Sequence, residues 1–101
     1  MQLTKFPKIR YTMMENHLFD KLPKNGRKFD SADIVKMRES MGEWDVKFPL
    51  KNATVTMQRL LEKIDDNGEP FQIMKEDKSP GHHKVEYWLA PRSRKRKANG
   101  R

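Results

Sequence analysis

The sequence predicts a small α+β domain in which three helices are followed by a two-stranded hairpin. Three segments carry apolar residues at helical spacing between caps and stop signals, and the stretch before Pro91 changes to strict alternation. Aromatic residues spread from Phe6 to Trp88 give one core enough apolar material in a chain of 101 residues.

Residues 1–10 carry Lys5, Lys8 and Arg10 around Pro7 and read as an irregular basic arm. The first helix is expected from about Tyr11 to Leu22. Met14, Leu18 and Leu22 recur every four residues with Phe19 beside them, and Thr12 with Glu15 three residues on forms a capping-box pattern. Pro23, Asn25 and Gly26 end it. Lys28-Phe29 reads as a short strand. Asp30 or Ser31 then caps a second helix that runs to about Met41, with Ile34, Met37, Arg38 and Met41 inward, and Gly42 stops it.

Glu43 to Leu50 reads as a connector. Trp44, Val46 and Phe48 alternate with charged residues as apolar anchors, and Pro49 blocks continuation. The third helix is expected from Ala53 to Asp66 with Asn52 as N-cap. Ala53, Met57, Leu60, Leu61 and Ile64 fall within roughly 100° of arc, a single core-facing stripe. Asn67-Gly68 closes it. Phe71 to Asp77 is strand-like, Lys78 to His83 is a Pro-Gly turn region, and Val85, Tyr87 and Leu89 alternate with Lys84, Glu86 and Trp88 in a second strand. The expected organisation is therefore an arm over 1–10, a domain over 11–91 and a disordered basic tail over 92–101.

The charge is unevenly placed. The chain has 22 basic and 14 acidic residues, a net charge of +8. Six of the basic residues (Arg92, Arg94, Lys95, Arg96, Lys97 and Arg101) lie in 92–101, where there is no acid, leaving 16 basic against 14 acidic residues in 1–91. The tail suits a polyanion, and any polyanion-binding surface on the body must come from placement. There is no cysteine, hence no disulfide or thiolate metal site. No long apolar stretch marks a signal peptide or a membrane span.

The order helix, short strand, capped helix, connector, helix, hairpin ending in Val85-Glu86-Tyr87-Trp88-Leu89 resembles the winged helix-turn-helix superfamily from about Tyr11 to Pro91, in particular small bacterial or phage regulators with an aromatic last wing strand. The Glu43–Leu50 connector is longer than the usual turn. The resemblance implies a third helix in the major groove of double-stranded DNA and a hairpin wing on its backbone. Opposite the apolar stripe, Asn52, Val55, Thr56, Gln58 and Arg59 are then the candidate base readers: Asn, Gln and Arg make bidentate bonds to base edges, and Val or Thr meets a thymine methyl. Lys51, Lys78, His82, His83 and Lys84, with Arg92, Arg94, Lys95, Arg96 and Lys97 of the tail, are candidate backbone contacts. Six tail cations contribute up to about −5 to the salt slope of binding.

Other readings of the same residues are open. His82-His83 are adjacent and so point to opposite faces, which argues against one metal ion. No nucleophile motif, phosphate-cradling glycine loop or HExxH occurs, so neither an enzyme nor a cofactor is expected. Met13, Met14, Met37, Met41, Met57 and Met74 read as core filler or as a methionine-rich protein-binding groove. Trp88 belongs to the wing face opposite Tyr87, against the connector or a partner. The expected partner is duplex DNA, bound as a monomer or homodimer, with RNA or a protein as rivals. A membrane surface is disfavoured because no apolar anchor accompanies the tail. A cytoplasmic or nucleoid-associated location, nuclear in a eukaryote, is the matching expectation.

Overall fold

A computed structural model describes residues 2–42, 46–79 and 84–92. It shows an α+β domain whose described elements, in chain order, are α1 (Met13–Lys21), β1 (Phe29–Asp30), α2 (Ser31–Ser40), α3 (Pro49–Asp66), β2 (Phe71–Ser79) and β3 (Lys84–Pro91). The strands form one antiparallel sheet in the order β1-β3-β2. The last strand thus lies in the middle, between its hairpin partner and a two-residue strand that precedes α2.

Local chemistry sets the first two helices. Thr12 Oγ1 accepts from the Glu15 amide at 3.0 Å and Glu15 Oε1 from the Thr12 amide at 2.8 Å, so α1 starts in a capping box. Asp30 and Asp33 repeat the device on α2, at 2.9 and 3.0 Å. Ser31 is therefore the first helical residue and not the cap. Its buried hydroxyl accepts from the Val85 amide at 3.2 Å and locks the start of α2 to β3. Gly42, at φ 137°, follows the last residue of α2's terminal turn, in a region that L side chains rarely adopt.

The third helix begins earlier than its composition suggests. Phe48 is its N-cap and Pro49 its first residue, so Asn52 lies inside the first turn. The proline read as a break opens the helix instead. At that position its missing N–H has no intrahelical partner to lose, and its fixed φ suits the helix. The connector shrinks accordingly. Glu43, Trp44 and Asp45 lie outside the described residues, and Phe48 is 58% exposed with the Lys47 ammonium 5.8 Å from its ring centroid, so it anchors nothing in the core.

The core lies between the helices and one face of the sheet. Ala53, Met57, Leu60 and Ile64 of α3 are fully buried against Leu18, Phe19, Ile34 and the inward strand residues Phe71, Ile73, Tyr87 and Leu89. Phe19 stacks on Phe71 at 5.4 Å and Phe29 on Tyr87 at 5.7 Å between centroids, joining α1 and β1 to the hairpin. The Glu15 carboxylate, 3% exposed, also accepts from Lys63 Nζ at 2.7 Å and ties α1 to α3.

Both ends of the domain are pinned near the C-terminal end of α3. The buried Glu69 carboxylate accepts from the Thr4 amide at 3.0 Å and the Tyr11 hydroxyl at 2.6 Å, and Asn67 pairs with the backbone of Ile9. The arm is irregular, but these bonds hold it to the domain. Arg92 donates to the Glu69 carbonyl at 2.9 Å, the Phe71 carbonyl at 3.0 Å and the Asp65 carboxylate at 2.6 Å. It belongs to the folded body, while residues 93–101 lie outside the described ones.

Candidate functional site

The outward side of α3 follows from its inward one. With Ala53, Met57, Leu60 and Ile64 facing the core, a rotation of about 100° per residue turns Val55 roughly opposite Ala53, with Lys51, Gln58 and Glu62 on one side of it and Asn52 and Arg59 on the other. Lys51, Asn52 and Arg59 are exposed, and Val55 is 42% exposed. The Lys51–Arg59 stretch of α3 thus presents two cations, two carboxamides and a valine together. Its last turns present Glu62, Asp65 and Asp66.

Thr56 does not belong with this group. It lies about 60° from Ala53 around the helix axis, is half-buried, and its hydroxyl donates to the Asn52 carbonyl at 2.8 Å. A residue three positions after a core residue such as Ala53 flanks the buried stripe and does not oppose it. Asn52 also spends one amide hydrogen on its own helix, donating to the Phe48 carbonyl at 2.9 Å, and keeps its oxygen and second hydrogen for a ligand.

The hairpin runs beside this face. Lys75 shares the inward side of β2 with buried Phe71 and Ile73, but lies beyond the core, where its ammonium donates to Gln58 Oε1 at 2.7 Å. Gln58 Nε2 in turn donates to Glu62 Oε2 at 2.8 Å. Gln58 is thereby held at both ends, with one lone pair and one hydrogen remaining, the donor–acceptor pair that an adenine edge matches. Sequence reading missed Lys75. The available signal was its place in the Phe71, Ile73, Lys75 alternation, a cation on a core-facing register.

Farther along the hairpin, a cleft of about 370 Å³ between the start of α2, Leu50 in the first turn of α3, and the strands is lined by Lys78 and Lys84. The two lysines therefore lie towards the N-terminal end of α3. Lys84 is exposed, whereas Lys78 sits 3.6 Å from Glu76 and 3.8 Å from Glu86 in a surface ladder that Lys28 extends. His82 and His83 lie outside the described residues, as do Arg94, Lys95, Arg96 and Lys97.

Arg92 is placed elsewhere. Its three bonds hold the guanidinium at the acidic C-terminal end of α3. Trp88 pairs across the hairpin with Met74 on the outer sheet face, with the Lys28 ammonium 5.0 Å from its ring centroid.

Comparison with protein-family models, with curated proteins and with solved structures finds no match for this chain. Among the described residues no group of three His, Cys, Asp or Glu side chains is placed to hold a metal ion, and no helix is long and apolar enough to cross a membrane.

Proposed function

We propose that the chain is a small winged helix-turn-helix protein that binds duplex DNA sequence-specifically and acts as a transcriptional regulator. One observation carries the reading: the exposed Lys51–Arg59 face of α3 is flanked by a paired hairpin that reaches it through the Lys75–Gln58 bond. The β1-β3-β2 order, with a short strand before α2 pairing the last strand, supports it. In this reading α3 enters the major groove by its Lys51–Arg59 face. Arg59, Gln58 and Asn52 address base edges and Val55 a thymine methyl, while Lys51, Lys75 and Lys84 neutralise phosphates. The acidic last turns of α3 point away from the backbone. The activity is recognition, with no bond made or broken.

Selection of binding sites from random duplexes by the full chain tests the reading. A recurrent sequence is expected, and Arg59→Ala should weaken the selected site by about tenfold or more while changing non-specific duplex binding little. Equal losses on both duplexes would remove base reading, and preferential retention of structured RNA over duplex DNA would replace DNA as the partner.

A further inference from the structure

A second surface lies between α1 and the C-terminal half of α2, built from different residues. Two adjoining clefts, of about 610 and 580 Å³, share Lys21 as a common wall. Met13, Met14 and Met41 line the first, and Met37 lines the second. Met14, Met37 and Met41 are partly buried and pack on the core, whereas Met13 is 77% exposed. The fold does not need Met13 there, because Thr12 and Glu15 alone complete the start of α1. An unbranched thioether side chain left in water over an apolar floor adapts readily to a partner's shape.

Among the described residues, the charged groups that line this surface are of one sign. Lys21, Lys24, Arg27 and Arg38 line the clefts with His17, and among the described residues no carboxylate lines either one. Among the described residues Lys21 and Arg27 form no ion pair, and both are exposed. Lys24 is committed to α1, donating to the carbonyls of Phe19 and Leu22, and Asp20 is the carboxylate that acts on it. Residues 1–91 hold almost as many acids as bases, so a stretch lined by cations alone is not the average surface of this body.

We infer that this methionine-floored, cation-rimmed groove docks an acidic amphipathic helix of a protein partner. Apolar side chains at i, i+3, i+4 and i+7 would seat on the methionines, and flanking carboxylates would meet Lys21 and Arg27. Nucleic acid fits the rim but has no apolar ridge for the floor. The inference is independent of the DNA-binding reading.

The seven methionines give the test its readout. The full chain, labelled at the methionine methyl groups, is titrated with a peptide of about four helical turns carrying leucines at i, i+3, i+4 and i+7 and glutamates elsewhere. A lysine-for-glutamate counterpart and a duplex DNA are titrated in parallel. The glutamate peptide should shift the Met13, Met14, Met37 and Met41 methyls saturably, leave Met74 in place, and bind several-fold more weakly to K21E, which alters an exposed side chain and leaves the core intact. No shift, equal binding of the lysine peptide, or shifts led by Met74 would overturn the proposal. Movement of the same four methyls with duplex DNA would reassign the groove to nucleic acid. A chain that failed to bind DNA would leave the peptide result unaffected.

Discussion

Arg92 and Arg59 show how little a side chain's type says about its work. Both are arginines in a basic protein. Arg59 is exposed in the middle of α3, whereas Arg92 spends its guanidinium on two backbone carbonyls and a carboxylate near the C-terminal end of that helix. Removing charge-assisted bonds of this kind from a half-buried group leaves acceptors unsatisfied. R92A should therefore lower stability by about 1–2 kcal/mol in urea unfolding, while the salt dependence of duplex binding keeps its slope. A flattened slope with unchanged stability would return Arg92 to the phosphate-binding set. Neither Arg92 nor Lys75 could be assigned from sequence, because their partners lie 27 and 17 residues away and are brought near only by the fold.

Among the elements, α1 and α2 were the most legible. Their starts are written in four consecutive residues, Thr12–Glu15 and Asp30–Asp33, and a capping box needs nothing beyond them. Glu15 is additionally bound to Lys63, so one carboxylate both starts α1 and holds it to α3. E15A removes the cap bond and strands a cation that is 23% exposed, and should destabilise the chain by about 3 kcal/mol, read by thermal unfolding. A loss within a few tenths of a kcal/mol would show the pair to be incidental. The start of α3, at Pro49, is ambiguous in sequence because Pro49 and Asn52 each carry two meanings. Proline ends one helix or opens the next, and Asn caps from outside or sits in the first turn, and the choice depends on where the chain arrives from α2. The first strand was displaced by one residue for a similar reason: Phe29 and Asp30 are strand because Tyr87 and Glu86 pair with them.

For the molecule as a whole, the central strand β3 couples everything: β1 and β2 pair with it, Ser31 bonds to it, and Tyr87 sits fully buried on it. Burial pushes the Tyr87 phenol up to about 12 from its ordinary 10.0, with Asp77 adding to the rise and a Ser31 hydrogen bond opposing it. Burial likewise raises Tyr11, whose hydroxyl donates to Glu69. Both raised phenols remain protonated in the fold where the unfolded chain has begun to ionise. The unfolded state then binds fewer protons, so stability is intact below pH 10 and falls as pH climbs towards 12, by about 2–3 kcal/mol for Tyr87 alone. Tyrosinate absorbance should stay low to about pH 11 and rise together with unfolding, whereas early ionisation without unfolding would contradict the burial. The same framework holds the Lys51–Arg59 face of α3 and the hairpin side by side, and the functional reading depends on that pairing. Backbone amide shifts of the full chain during titration with its selected duplex test it most directly. The reading expects the largest changes over Lys51–Arg59 and at Lys75, Lys78 and Lys84, with little change at Met13 or Lys21. Changes centred on the α1–α2 groove, or none along α3, would contradict it.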